Sequence, residues 1–451
     1  MLGLKIVLAF FDRETFLPRH SHYSELFSSL RRLKGQKEGF PMKWKRLLPL
    51  VLSLSLLAGC GRMYVPVLPQ TSPAPQPSPG ENAQPVELEA VTPNELVLRL
   101  LESERSQHPG ENVILSPLSI EMALGMAANG ADGAAKEALE TLLGMDAEQL
   151  NALLGPYLQK GDNTLSLANS MWFQTSLKDL VNQDFLDTLT EVYAAGEGAF
   201  TPGSQSDAAA INGWVKEKTR GKIDSILTAE NLQADTLAIL INALYFDGKW
   251  ADPFEEGQVS DGKFRAAGGD VDAKFMSQWL DIYFETDQAT GFAKAYEEGY
   301  EFIAILPKAE GSVDLGALDI DAFLDSETRA YDVDIRLPKF EVEYSASLVN
   351  TLTALGLGSL FEDHALDGML TDEARANWEA HVGDVLHKTY MKMHEQGTEA
   401  AAVTAVMVEC TMAAMPVARE VKQVYLDRPF AFLIRDSRSG QVVFCGVMER
   451  V

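Results

Sequence analysis

Cysteine is scarce in this 451-residue chain. Cys60, Cys410 and Cys445 are too few for a disulfide scaffold, and no C-x-x-C pair offers a thiolate zinc or redox site. Histidine is scarce too: there are seven, two of which (His20 and His22) lie near the front end. His394-Glu395 begins like H-E-x-x-H, but Thr398 stands where the second histidine belongs. There is no G-x-S-x-G elbow, no Walker loop and no dinucleotide glycine fingerprint. Basic charge is in deficit, with 38 Lys and Arg against 65 Asp and Glu and a net charge of −27, which argues against a nucleic-acid partner. These absences point away from an enzyme, and no cofactor or metal is expected. What remains is 46% hydrophobic with ordinary glycine and proline content, enough to bury a core.

The front end reads as an export signal. From Met42 the sequence runs MKWKRLLPLVLSLSLLAGC, with Lys43, Lys45 and Arg46 ahead of an apolar stretch, Leu47 to Leu57. That stretch is shorter than the ~20 residues needed to span a bilayer. Leu57-Ala58-Gly59-Cys60 resembles the bacterial lipoprotein box, which makes Cys60 the expected lipid attachment site and 42–59 the signal peptide. Residues 1–41 are then an over-extended gene start. Residues 60–91, with seven prolines among Ser, Gln and Ala, read as an extended tether. Beyond residue 59 the chain has 28 basic and 61 acidic side chains, so lipid rather than charge is expected to hold it to a membrane. The expected location is the outer side of a bacterial cell membrane, extracellular or periplasmic.

Order is expected from Thr92-Pro93-Asn94-Glu95, where a Thr N-cap, a Pro at the first helical position and a Glu three residues after the cap agree. The first helix runs to about Gln107, Ser116-Pro117-Leu118-Ser119 opens a second, and Asp132 caps a third. Strand-like runs follow at Leu165–Phe173, Leu237–Phe246, Phe302–Leu306 and Tyr331–Glu343. Several are apolar on both faces, as in a sheet covered on both sides. From Val385 the residues Val385, His387, Thr389, Met391 and Met393 share one face, and Lys388, Tyr390 and Lys392 the other. Two more strands are expected around Val424–Ile434 and Val442–Val447. With no polar linker inside 92–451, this is one large domain of mixed α and β structure.

One segment carries the function. Glu395-Gln396-Gly397-Thr398-Glu399-Ala400-Ala401-Ala402-Val403-Thr404-Ala405 follows directly on a strand as a glycine and a run of small residues. As a strand it would present Thr398, Ala400, Ala402, Thr404 and Val406 to one face, small enough to slide beneath covering helices. This segment resembles the reactive-loop hinge of the serpins, the serine protease inhibitors. The likeness extends to Asn112–Ile120 with its S-P-x-S-I core, Leu167-Ala168-Asn169, Ile211–Val215, Thr219–Ile223, Asn242–Trp250, Leu306-Pro307-Lys308, Leu337–Phe340, Arg428-Pro429-Phe430 and Phe444-Cys445-Gly446, all in the family's order.

The resemblance implies an α+β fold, a single domain over 92–451 with three β-sheets, eight or nine helices and an exposed reactive loop at about 395–420. It implies a monomer that forms a covalent complex with a target endopeptidase of the serine or cysteine class. The protease cleaves the loop, and the freed hinge then enters the main sheet as a new strand. Asn242 and His387 are the implied buried polar pair where the sheet parts, Ser116 and Ser119 their neighbours, and Trp250 the tryptophan at the point where insertion begins. The family's spacing from Glu395 puts the scissile bond between Thr411 and Met412, with Cys410 or Met412 as alternative registers. No Lys or Arg lies near that bond, which disfavours a trypsin-like target and favours an elastase-, subtilisin- or chymotrypsin-like one. Two other readings stay open: a non-inhibitory binder or chaperone of the same family, and a lipid-tethered hydrolase with an unrecognised site.

Overall fold

The computed structural model describes residues 92–159, 164–234, 236–311, 313–398 and 419–451. Cys60, the expected signal and the expected tether lie outside them, as do the expected hinge residues Glu399, Ala400, Ala401, Ala402, Val403 and Thr404 and the bond candidates Cys410, Thr411 and Met412.

Among the described residues there are nine α-helices and three sheets. The first helix, α1 (Pro93–Gln107), begins as the sequence predicts, with Thr92 accepting from the Glu95 amide at 3.1 Å. Helix α2 (Pro117–Gly130) is capped by Ser116 and buried along nearly its whole length, so it serves as the floor of the domain rather than as an amphipathic cover. Helices α3 (Gly133–Leu143), α4 (Ala147–Gln159), α5 (Gln183–Tyr193) and α6 (Gln205–Lys218) follow. Three short ones complete the set: α7 (Ile320–Asp325), α8 (Val349–Leu352) and α9 (Asp372–Arg375).

The six-stranded sheet runs β1 (Val113–Leu115), β17 (Val442–Met448), β16 (Phe430–Asp436), β10 (Tyr300–Pro307), β9 (Ala289–Ala295), β8 (Tyr283–Glu285). The four-stranded sheet runs β15 (Val421–Tyr425), β11 (Asp332–Pro338), β7 (Gly269–Leu280), β6 (Val259–Ala266). The largest runs β3 (Gly196–Phe200), β2 (Leu165–Gln174), β4 (Ala238–Phe246), β13 (Val382–His394), then the two-residue strands β14 (Gly397–Thr398) and β5 (Gly248–Lys249), with β12 (Phe340–Ser347) on the far edge of β13.

Every residue of β4 is buried, because the largest sheet is covered on both faces. Leu240, Leu244 and Phe246 join the main core, while Ile239, Ile241 and Ala243 pack with Ile211 and Val215 of α6. Two expected strands are each divided. Tyr331–Glu343 is β11 and β12, which lie in different sheets and part at Pro338-Lys339. Val424–Ile434 is β15 and β16, parted at Leu426–Pro429, where proline cannot donate to a ladder. β11 and β12 both alternate apolar and polar residues, so a period-2 pattern cannot reveal that the chain changes sheets between them.

Candidate functional site

The site is a seam in the largest sheet. β4 pairs antiparallel with β2, and β13 pairs antiparallel with β12, but β4 and β13 run parallel to each other, in continuous register from Asp384 against Ile239 to Tyr390 against Tyr245. Parallel ladders are slightly weaker per residue than antiparallel ones. A strand entering between them in the opposite direction would exchange one parallel ladder for two antiparallel ones.

The start of the expected hinge stands at the mouth of this seam. After His394 the chain reverses, and Gly397 and Thr398 pair antiparallel with His394 and Met393 of β13 on one side and with Lys249 and Gly248 of β5 on the other. Gly397 is obligatory, because its φ is +150° and a Cβ there would lie 2.0 Å from the Gly248 carbonyl oxygen. Thr398 is fully buried, and its hydroxyl shares a 2.7 Å hydrogen bond with the Tyr296 phenol. The Tyr296 ring stacks on Trp250 with centroids 4.2 Å apart.

Trp250 lies at the head of the seam. It is fully buried, its indole Nε1 donates to the His394 carbonyl at 3.1 Å, and its amide donates to the Gln396 carbonyl at 2.9 Å. The Phe254 amide holds the Glu395 carbonyl at 3.0 Å. The Glu395 carboxylate receives Lys339 Nζ at 2.7 and 2.8 Å on its two oxygens. Partial burial, the largest single influence, acts to raise the Glu395 carboxyl, but the Lys339 bond and charge, its own backbone amide and His394 together hold the group below its ordinary value. Beside Trp250, burial lowers the Lys294 ammonium to about 8, and its Nζ sits 4.5 Å from the Phe254 ring centroid while donating to Asp252 O and Gln278 Oε1.

A polar layer lies beneath the seam. His387 and Asn242 are register neighbours, yet no hydrogen bond joins them. His387 Nε2 accepts from the Ser116 amide at 3.2 Å, which leaves the ring proton of the neutral imidazole on Nδ1. Asn242 Nδ2 donates to Asn169 Oδ1 at 2.7 Å. His387 Nδ1, Asn242 Oδ1 and Ser119 Oγ are buried without partners: a donor, an acceptor and a hydroxyl that can act as either. Burial lowers the His387 imidazole to about 3, so it is neutral at physiological pH. Thr389 Oγ1 donates to the Ile114 carbonyl at 2.9 Å and ties β13 to β1 of the six-stranded sheet.

On the opposite face the seam is clasped. The Lys222 ammonium stands over the rings of both Tyr245 and Tyr390, 5.8 and 6.0 Å from their centroids, and those tyrosines are register partners across the seam. Lys388 Nζ donates to the Ser225 carbonyl at 2.7 Å, which pins the same loop to β13. That loop is tied back to α6 by Asn212, whose side chain accepts from the Ile226 and Leu227 amides and donates to the Leu227 carbonyl.

The structure therefore brings together Glu395, Gln396, Gly397, Thr398 and Trp250 at the mouth, and Ser116, Ser119, Asn242 and His387 beneath the seam. Sequence reasoning placed Lys339, Asn169 and Lys222 inside quoted motifs without giving them roles, and it missed Tyr296 altogether. Each has a partner more than 50 residues away in sequence, and no local spacing announces that. Cys445 is buried in β17 as a small apolar group. Among the described residues, no group of His, Cys, Asp and Glu side chains is arranged to hold a metal ion.

With the geometry established, comparison with known proteins identifies the fold. Residues 92–450 match the family model described as serpin (serine protease inhibitor). Serpin-Z1C of Triticum aestivum is 30% identical over 368 residues, covering 76% of this chain and 91% of that protein. Human neuroserpin is 30% identical over 369 residues, covering 76% and 87%. The native-state structure of the thermophilic serpin tengpin superposes with a TM-score of 0.68 at 31% identity, covering 82% of this chain and 97% of that one. The chain belongs to the serpin family, a family of protease inhibitors rather than enzymes.

Two predictions follow from the charges at the site. His387 has a folded value below its ordinary one, so the unfolded chain binds more protons, and stability falls as the pH drops from 6.5 toward 3. Glu395 adds a further loss as the pH falls below about 4.5. Glu121, raised to about 7 by burial, acts in the opposite sense over part of this range, so the check is a difference: in thermal unfolding followed by circular dichroism, His387→Gln should lose less stability than the parent chain as the pH falls below 6.5, and Glu395→Gln less below about 4.5. Lys222→Ala should loosen the seam without touching the hinge. Its rate of conversion on heating to a form resistant to urea is expected to rise several-fold over that of the parent chain, and an unchanged rate would show that the clasp is idle.

Proposed function

We propose that this serpin inhibits proteases by suicide. A target endopeptidase of the serine or cysteine class attacks the loop between Thr411 and Met412 and forms an acyl-enzyme. The released hinge then enters the β4–β13 seam and carries the protease with it. The observation that carries the reading is Thr398, already seated antiparallel at the mouth of a parallel seam. Continuing its register along both flanking strands would bring Ala401 between Tyr245 and Tyr390, where a small residue can part the clasp. The same continuation would bring Thr404 between Asn242 and His387. Its hydroxyl could accept from His387 Nδ1–H and donate to Asn242 Oδ1, satisfying two buried groups that are unpartnered without it. A strand that gains a full ladder and repairs two buried defects supplies the driving force for trapping.

The residues flanking Thr411–Met412 suit a pocket for small or medium apolar side chains, as in elastase-, subtilisin- or chymotrypsin-like enzymes. The non-inhibitory reading is less well supported, since Thr398–Ala405 contains no proline and Glu399 as its one charge. We further propose that the chain is a bacterial lipoprotein anchored through Cys60 on the outer side of the membrane. Labelling with an alkyne fatty acid in a bacterial host should tag the chain, and Cys60→Ser should abolish the tag.

Mixing residues 61–451 with subtilisin, pancreatic elastase and trypsin tests the central claim. A heat- and detergent-stable adduct at the summed mass should form with one of the first two, with a released peptide that begins at Met412. Loop cleavage with no adduct from any protease would remove the inhibitory reading and favour the binder. Thr404→Arg should convert the inhibitor into a substrate, with cleavage retained and adduct yield falling at least ten-fold.

A further inference from the structure

The four-stranded sheet exposes an aromatic surface that the trapping cycle leaves unused. Trp279, near the end of β7, is 60% exposed, the most exposed of the large apolar side chains among the described residues. Its neighbour Gln278 points inward, where Nε2 donates to Asp252 Oδ2 at 2.7 Å and Oε1 accepts from Lys294. Strand alternation therefore fixes Trp279 on the outer face. Across that face Trp279 is in register with Asp334 of β11, and Asp334 with Gln423 of β15. In the adjacent row the Arg336 guanidinium stacks 4.4 Å from the Tyr425 ring centroid, and the Tyr425 hydroxyl donates to Asp334. Val421, 49% exposed, begins β15 on the same face. An exposed Trp beside an ordered Arg–Tyr pair has the composition of interface hot spots, in which Trp, Tyr and Arg dominate.

The position of this face names its occupant. One end of the reactive loop is held at Glu395 and Gln396 by Phe254 and Trp250, and Asp252, between those two residues, binds Gln278 next to Trp279. The other end of the loop runs through Arg419 and Glu420 into Val421. The face thus lies beside both anchor points of the loop. Ten residues separate Thr411 from Val421, a reach of at most roughly 35 Å. A protease domain of some 230 residues has a radius of gyration of about 17 Å and a diameter of roughly 45 Å. A body of that size engaged at the loop cannot avoid the neighbouring sheet. Charge on the face is mixed, Asp281, Asp332 and Asp334 against Arg329, Arg336 and Arg419, so apolar contact rather than a strong field decides the fit.

We infer that the outer face of the four-stranded sheet, centred on Trp279 with Arg336 and Tyr425, is a second docking surface for the body of the protease engaged at the loop. The inference rests on the reading that a protease attacks the loop. The surface acts on the encounter, setting which protease is captured and how fast, and takes no part in the chemistry or in insertion. The test uses subtilisin and pancreatic elastase as probes, each also as its inactive Ser→Ala variant. Against the protease that the parent chain traps, Trp279→Ala should lower the second-order rate of adduct formation at least ten-fold. The adduct yield per cleavage and the thermal midpoint should stay unchanged. Arg336→Ala gives an independent variant of the same face should Trp279→Ala fold poorly.

Biolayer interferometry with the inactive proteases reads docking without trapping, and there Trp279→Ala should weaken affinity by a similar factor. Trp279-dependent binding without any adduct would uphold the docking surface while removing the inhibitory reading. Rates and affinities equal to those of the parent chain, or no binding of either inactive protease, would overturn the inference. A parent dimer that Trp279→Ala disperses in sedimentation would assign the face to a second copy of the chain and overturn it as well.

Discussion

The structure depends on the parallel pairing of β4 with β13. On either side of it, β4 pairs antiparallel with β2 and β13 pairs antiparallel with β12. A parallel ladder between two strands that are each antiparallel to their outer neighbours can be improved by an additional antiparallel strand, and its register is open to one. The fold is therefore competent as it stands and could gain further stability from a segment of its own chain.

The side chains around the seam are consistent with that tension. Beneath it, buried donors and acceptors lack partners at His387, Asn242 and Ser119, a local defect in a layer that is otherwise well bonded through Ser116, Thr389 and Asn169. Above it, Lys222 draws Tyr245 and Tyr390 together, and at its head Lys339, Trp250 and Tyr296 hold Glu395, Gln396 and Thr398 in place. These are modest interactions, each worth about 1–3 kcal/mol. Such a set can retard opening without making it impossible. The docking face on the four-stranded sheet adds a further element: recognition of the protease body is separate from the seam that would act on it.

Much of the architecture is legible in the chain. The alternation of Val385, His387, Thr389, Met391 and Met393 gives the buried face of β13, Thr92 and Ser116 start their helices where the caps predict, and apolar runs on both faces mark β4 as covered on both sides. The hinge is legible as a glycine followed by small residues, and Gly397 proves irreplaceable because the Gly248 carbonyl approaches it directly. Less was legible where one pattern serves two sheets, as at Pro338-Lys339, since alternation records burial and not the identity of the covering layer.

The sequence by itself determined the family, the order of its elements and the buried position of His387, because caps, periodicity and small-residue runs are local properties. Only the tertiary structure decided that β4 and β13 run parallel, that Asn242 and His387 turn to Asn169 and Ser116 rather than to each other, and that Lys222 bridges two tyrosines. It alone set Trp279 beside both anchors of the loop. Those facts arise from strands and loops far apart in sequence meeting in space, where strand direction and register, not residue type, select the partner.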